Sequence, residues 1–361
     1  MDANVITTKR ITYFKEGDNM FLFSKSKRMV NIVLDDYVIR IAVSKGNNLE
    51  SIKLLEEREV PLGLIEHGKI IDEMKFYEWM KELIREMGLR RHPVRFYVPN
   101  SLVIMRHVTI PEELIGEGLH EYFYTEIGKS IHLPFQEALF DVFVPKVEGH
   151  KEVETNEQQK RGVLFAAPEE EINKYMTIFA DVSLRPEAVD IEPLGVYRYF
   201  FHLYERKKDV VSLFFEMNLT SYHLSIFHHH IPEFIRHQYL DIQTSVWKIT
   251  NKNSNLLTWE YHEKTDTLLG ELGDHITELG RIMDFYRYSL YKGEKKVDEI
   301  IVHGDYPDIE KIVTKLKEQY DIPVKLLQAY MSESHDKEVD IRFIPVLGLA
   351  LKGERIDAPR D

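Results

Sequence analysis

The sequence predicts an α/β fold built as two lobes. A length of 361 residues is enough for two core-bearing units. Strand-type runs alternate with amphipathic helices along the chain. An apolar hairpin of the same kind opens each half, at residues 30–43 and again from residue 210.

Composition excludes several function classes. The net charge is -13, from 60 acidic and 47 basic residues. With no extended Lys/Arg block, nucleic acid is not an expected partner. There is no cysteine, so disulfides and thiol chemistry are excluded, and without a secretion signal the expected location is cytoplasmic. No run of about 18 apolar residues is present to span a bilayer. The stretch from Met20 to Arg28 is apolar and then basic, which fits a weak membrane-surface contact or a lead-in packed on the domain edge. Residues 1–19 read as a polar extension ahead of Met20.

In the first hairpin, Val30 to Leu34 and Tyr37 to Val43 flank an acidic turn at Asp35-Asp36. Turn chemistry follows at 60–69. Met74, Phe76, Trp79, Met80, Leu83, Ile84 and Met87 then form the apolar face of a helix closed by Gly88. Strands are expected at 95–98 and 102–108. A helix is expected from Glu112, with Leu119, Phe123, Ile127 and Ile131 at spacing four, stopping at Leu133-Pro134. Residues 138–147 and 162–167 read as strands around an exposed tip at 148–161, and Pro168 with three glutamates starts the next helix. In the second half, a hairpin with its tip at His228-His229-His230 precedes a helix over 272–290. A stretch at 297–305, a helix opened by Pro307, a strand at 321–324 and an apolar closing segment at 344–353 follow.

The stretches R-F-Y-V-P-N-S-L-V-I-M-R-H-V-T-I-P, I-H-L-P-F-Q-E-A-L-F-D-V-F-V, V-L-F-A-A-P-E-E-E-I-N-K-Y and L-R-P-E-A-V-D-I-E-P-L-G-V-Y-R occur in that order. Together they resemble the type IV pilus assembly protein PilM family, over about residues 30–353. The resemblance implies an actin-like two-lobed ATPase fold with an inserted subdomain of the kind shared with FtsA. It implies an N-terminal extension at 1–29, a first lobe at 30–208 with the insert at 94–187, a second lobe at 209–342 and a return segment with a polar tail at 343–361.

The family's nucleotide motifs are altered in this chain. In the first phosphate loop, Val33 stands at the acid, Asp35 at the glycine, Asp36 at the hydroxyl residue and Arg40 at the lysine. In the second, Glu216 stands for the acid, Asn218 for the glycine and Ser221 at the hydroxyl position. The adenosine loop keeps Gly304 beside Asp305. A carboxylate where backbone should meet phosphate costs about 4 kcal/mol at 4 Å and an effective dielectric near 20. The expectation is a scaffold with a degenerate nucleotide site and no cofactor. ATP with Mg²⁺, held by Asp35, Asp36, Glu216 and Asp305, is the alternative, and an FtsA-like filament is another.

The resemblance also implies a partner, the N-terminal tail of a PilN-like inner-membrane protein. It would lie in a groove between the part at 30–93 and the insert, with Ile131, Leu133, Pro134 and Phe135 near the seam. Other pilus assembly proteins and self-association are further expected contacts, at the cytoplasmic face of the inner membrane. The remaining candidates read as structural. The histidines at 228–230 fit a solvated turn, and His223, His237 and His303 fit satisfied core groups. Glu56-Glu57 and Glu169-Glu170 fit solvated faces or helix starts, and the aromatic run at 197–204 fits core.

Overall fold

The computed structural model describes residues 28–353, apart from 112–113, 115–117, 146–159, 205–208, 252–255 and 263–264. Most of the stretch from Met20 to Arg28 and most of the expected tip at 148–161 lie outside the described residues.

Three strands, β1 (Met29–Leu34), β2 (Val38–Ser44) and β3 (Ile52–Glu59), form an antiparallel meander. The next helix, α1 (Glu73–Glu86), is capped by the Asp72 carboxylate, which accepts from Lys75 N at 3.0 Å. Beyond it β4 (Pro93–Val98) runs parallel to β1. The insert follows, with β5 (Ile104–Ile110), α2 (Leu119–Glu126), β6 (Ala138–Phe143) and β7 (Lys160–Pro168). Its sheet has β7 in the middle, antiparallel to both neighbours. The chain returns through α3 (Glu169–Asp181), β8 (Arg185–Ile191) and α4 (Glu192–Leu203). Strand β8 lies parallel to β4, so the first sheet has the order β8-β4-β1-β2-β3.

The second lobe repeats this plan. Strands β9 (Ser212–Met217), β10 (Ser221–His228) and β11 (Ile231–Tyr239) make the meander, and α5 (Thr265–Asp284) follows. Then β12 (Glu299–His303), α6 (Ile309–Gln319) and β13 (Val324–Leu326) add parallel strands, giving β11-β10-β9-β12-β13. Each sheet is thus three antiparallel strands joined to parallel ones, because the parallel strands are reached through crossover helices.

The closing segment is a helix, α7 (Ile344–Ala350), buried along its whole length. With α4 it packs between the sheets, in a core that holds Val33 and Ala42 of one lobe and Phe214 and Ile301 of the other. A Cβ added at Gly348 would lie 2.1 Å from the Gly195 carbonyl oxygen, so the two helices meet backbone to backbone.

Three expectations need correction. The helix expected from Glu112 to Leu133 is shorter: α2 ends at Glu126, Gly128 turns with φ +87°, and Ile127 pairs with Ile131 as a β-bridge. The strand β3 was not foreseen, and it takes Glu56 and Glu57 into the interior, with Glu57 only 1% exposed, not onto a solvated face. Finally, the two-stranded hairpin expected around the 228–230 tip is a three-stranded meander, because a turn at 218–220 divides its first arm.

Candidate functional site: the cleft and a helix groove

The turn between β1 and β2 and the turn between β9 and β10 face each other across the lobes. Asp35 N–H donates to Val38 O at 2.9 Å, closing the first turn on itself. The Asp36 carboxylate points the other way and accepts from His67 N and Gly68 N at 2.7 and 2.9 Å. It therefore fastens the 65–70 hairpin to the turn.

Tyr37 and Arg40 cross to the second lobe. The Tyr37 hydroxyl donates to the Asp305 carboxylate at 2.8 Å. Arg40 donates to Asp305 as well, and through Nε to Glu57 at 2.7 Å, with Asp35 at 3.9 Å. Glu57 also accepts from Arg342 at 3.0 Å and from Leu257 N at 2.8 Å. Burial works against the Arg40 charge, but Asp305 and Glu57 outweigh it and hold the guanidinium protonated. Burial, and then the Asp305 carboxylate, push the Tyr37 hydroxyl well above its ordinary range.

A second acidic group lies at the base of the cleft. Asn218 Nδ2 donates to Glu216 at 2.9 Å, and Asn100 Nδ2 donates to Glu192 at 2.9 Å. Burial, and then the neighbouring Glu216 carboxylate, raise the Glu192 carboxyl well above the usual range. Burial raises Glu216 too, opposed by its hydrogen bonds to Glu192 and Asn218. Both carboxyls are therefore biased toward the protonated form, Glu192 the more strongly. Asp35 is raised by burial against the pull of Arg40, with Asp305 and Glu216 adding to the rise.

The structure brings Asp35, Arg40, Glu216, Asn218 and Asp305 together. Ser221 lines the neighbouring cavity, and Asp36 serves the 65–70 hairpin. Gly304 has φ +126° and sits where a Cβ would come within 2.1 Å of Met217 O, so close strand approach alone requires a glycine there. Sequence reasoning missed Tyr37, Glu57 and Glu192. Glu192 lies in the D-I-E-P motif and could have been found there; Glu57 needed β3, and Tyr37 carried no signal beyond its place in an apolar run.

A phosphate would need free backbone donors, and four of those around the second turn and the Gly304 loop are already paired. Asn218 N donates to Ser221 O, Leu219 N to the Tyr37 hydroxyl, Asp305 N to Asn218 Oδ1 and Tyr306 N to Met217 O. The cavity left between the two turns is about 20 Å³, room for about one water. It is lined in part by His223 and His237. Burial lowers His237 to about 4 and His303 to about 3, and lowers His223 well below its usual value, so all three are neutral at pH 7. Among the described residues no cluster of His, Asp and Glu is placed to hold a metal ion.

A larger opening of about 630 Å³ lies between α1 and α3. Glu73, Met74 and Tyr77 form one wall; Glu137, Glu170, Asn173, Lys174, Thr177, Ile178 and Asp181 form the other. Met74 is 69% exposed there. Lys174 is paired with Glu170 and Glu171 at 3.1 and 3.4 Å, so acids prevail along the rim. Ile131, Leu133 and Phe135 pack on the core of the insert, and Pro134 is exposed. None of them lines the opening, whose nearest residue in that segment is Glu137.

No curated protein sequence matches the chain significantly. Among solved structures, the PilM-PilN type IV pilus biogenesis complex is similar at 19% identity and a TM-score of 0.69, covering 90% of this chain and 98% of that one. MreB5 of Spiroplasma citri bound to ADP aligns at 8% identity and a TM-score of 0.49, over 90% of this chain and 95% of that one. A Bacteroides thetaiotaomicron protein with an actin-like ATPase fold and unknown function aligns at 13% identity and a TM-score of 0.46, over 91% and 99%. The duplicated sheet order is that of the actin-like fold. Residues 35–346 match the family model described as type IV pilus assembly protein PilM. With most of its length inside that match, the chain belongs to the PilM family.

Proposed function

We propose that this chain is a scaffold of a type IV pilus or related secretion machine. It holds the N-terminal tail of a PilN-like inner-membrane protein at the cytoplasmic face, and its interlobe cleft is braced by its own side chains in place of a nucleotide. Family membership and the similarity to a PilM-PilN complex support the scaffold reading. The observation that carries it is the opening between α1 and α3, about 630 Å³ with Met74, Tyr77 and Ile178 inside an acidic rim. Such a groove takes an extended segment with apolar anchors and basic flanks. No helix among the described residues is long and apolar enough to cross a membrane, so the partner supplies the attachment in this reading.

The actin-like fold makes ATP with Mg²⁺ the second reading. Against it stand the paired backbone donors, the Asp305 carboxylate already bound by Tyr37 and Arg40, and the roughly 20 Å³ cavity. The deciding experiment is fluorescence anisotropy of a labelled synthetic peptide carrying the PilN-like tail, titrated with the wild-type chain and with Met74→Asp. Saturable binding lost in the variant supports the groove reading, and equal binding by both removes it.

A further inference from the structure

We infer that this groove has an occupant within the chain itself: the segment from Met20 to Arg28, which competes with the partner tail for the space between α1 and α3. The inference rests on the reading of the groove as a peptide site. Its chemistry is complementary on both counts that a peptide groove selects. The segment places Met20, Phe21, Leu22 and Phe23 together and follows them with Lys25, Lys27 and Arg28, with no acid among them. The groove offers Met74, Tyr77 and Ile178 within a rim of Glu73, Glu137 and Asp181. Its one lysine, Lys174, is held by Glu170 and Glu171, so incoming cations meet uncompensated carboxylates.

The segment also reaches. Arg28 is exposed immediately before β1, and Val30 pairs with Val94 while Pro93 pairs with Arg185 on the far side of β4. The start of β1 is therefore two strand spacings from the start of β8, about 10 Å. Strand β8 begins just after α3 ends at Asp181, and both helices cover the face of the sheet that holds Val30 and Val94. Residues 20–27, extended, span up to about 28 Å. That is enough to pass the sheet edge and lie along α3.

Occupation in cis leaves the groove filled until a tail of higher affinity displaces the segment, so the apparent affinity for the partner falls by the fraction of molecules already closed. The alternative occupants are a second copy's segment, which would make dimers, and an anionic membrane surface for the segment itself.

The chain has no cysteine, so a single introduced pair reports proximity in the full-length protein. Phe23→Cys with Asn173→Cys, an exposed groove position, is compared under mild oxidation with Phe23→Cys and Glu318→Cys, exposed on α6 in the other lobe. The groove pair is expected to form an intrachain disulfide at least about tenfold faster than the control, to slow with Lys25→Glu/Lys27→Glu, and to be suppressed by saturating PilN-like tail peptide. Equal rates for the two pairs overturn the inference, as do disulfide-linked dimers alone, or binding to anionic vesicles through Lys25 and Lys27 with no disulfide. A disulfide that the tail peptide leaves unchanged keeps the intrachain contact and removes the groove as the partner's site. Tail binding that depends on Met74, with no intrachain disulfide, does the reverse.

Discussion

The Tyr37 hydroxyl and the Asp305 carboxylate, 268 residues apart in sequence, meet at 2.8 Å across the two lobes. Tyr37 follows the first acidic turn and Asp305 follows Gly304, so the contact joins loops of opposite lobes. Removing the hydroxyl removes a hydrogen bond to a charged acceptor, worth about 2 kcal/mol. Tyr37→Phe is expected to lower the urea midpoint by that amount of stability, with Asp305 still held by Arg40. No change in midpoint would mean that the contact carries no energy.

Arg40 is the larger brace. It is almost fully buried against Glu57 and Asp305, whose side chains are 0% and 1% exposed. Arg40→Met leaves Asp305 without its cation and is expected to cost about 4 kcal/mol, the usual penalty for breaking a buried ion pair. Glu57 retains Arg342, so the adjacent strand is expected to stay ordered. Amide hydrogen exchange should accordingly rise first in the turns at 35–37 and 304–306.

Calorimetric titration with ATP and Mg²⁺ tests the second reading. The wild-type chain is expected to give no binding heat at millimolar nucleotide. Asp35→Gly is expected to behave the same way, because Tyr37 and Arg40 still fill the cleft and the N–H groups of Asn218, Leu219, Asp305 and Tyr306 remain bonded. Binding restored by that single change would show that the Asp35 side chain alone blocks the site.

The raised Glu192 carboxyl sets a pH dependence. Glu192 is raised above its unfolded value of 4.5, so the folded state binds more proton than the unfolded state as pH rises above that value. Its contribution is complete below 4.5 and declines with rising pH toward the folded value. Glu192→Gln keeps a hydrogen-bond donor for Glu216 and removes the titration. The variant is expected to be more stable than wild type at pH 8, with the difference shrinking toward pH 4.5 in urea melts.

The contact between α4 and α7 leaves no room for a methyl group. Gly348→Ala is expected to cost about 3 kcal/mol, at the upper end of overpacking, because the clash is with backbone that cannot rotate away. Thermal unfolding of the full chain measures it.

Much of this was legible in the sequence. Helix α1 was visible in the spacing of Phe76, Met80, Leu83 and Ile84, all buried, because a helix repeats its inner face every three or four residues. The acidic turn at Asp35-Asp36 and the positions of Glu216, Asn218 and Asp305 were also legible, since turn chemistry is local. The family resemblance rested on ordered short motifs for the same reason.

The sequence by itself therefore determined the α/β plan, the PilM resemblance and the replacement of glycine by charged or polar residues at the phosphate and adenosine loops. Only the tertiary structure decided what those residues do. Asp305 is a nucleotide-loop substitution when read along the chain, and becomes the acceptor for Tyr37 and Arg40 once the lobes are juxtaposed. Glu57 looked solvated until β3 carried it inside to meet Arg40 and Arg342. The sign of a charge is a local property, but its partner comes from another element of the fold, and a buried charge takes its role from the partner.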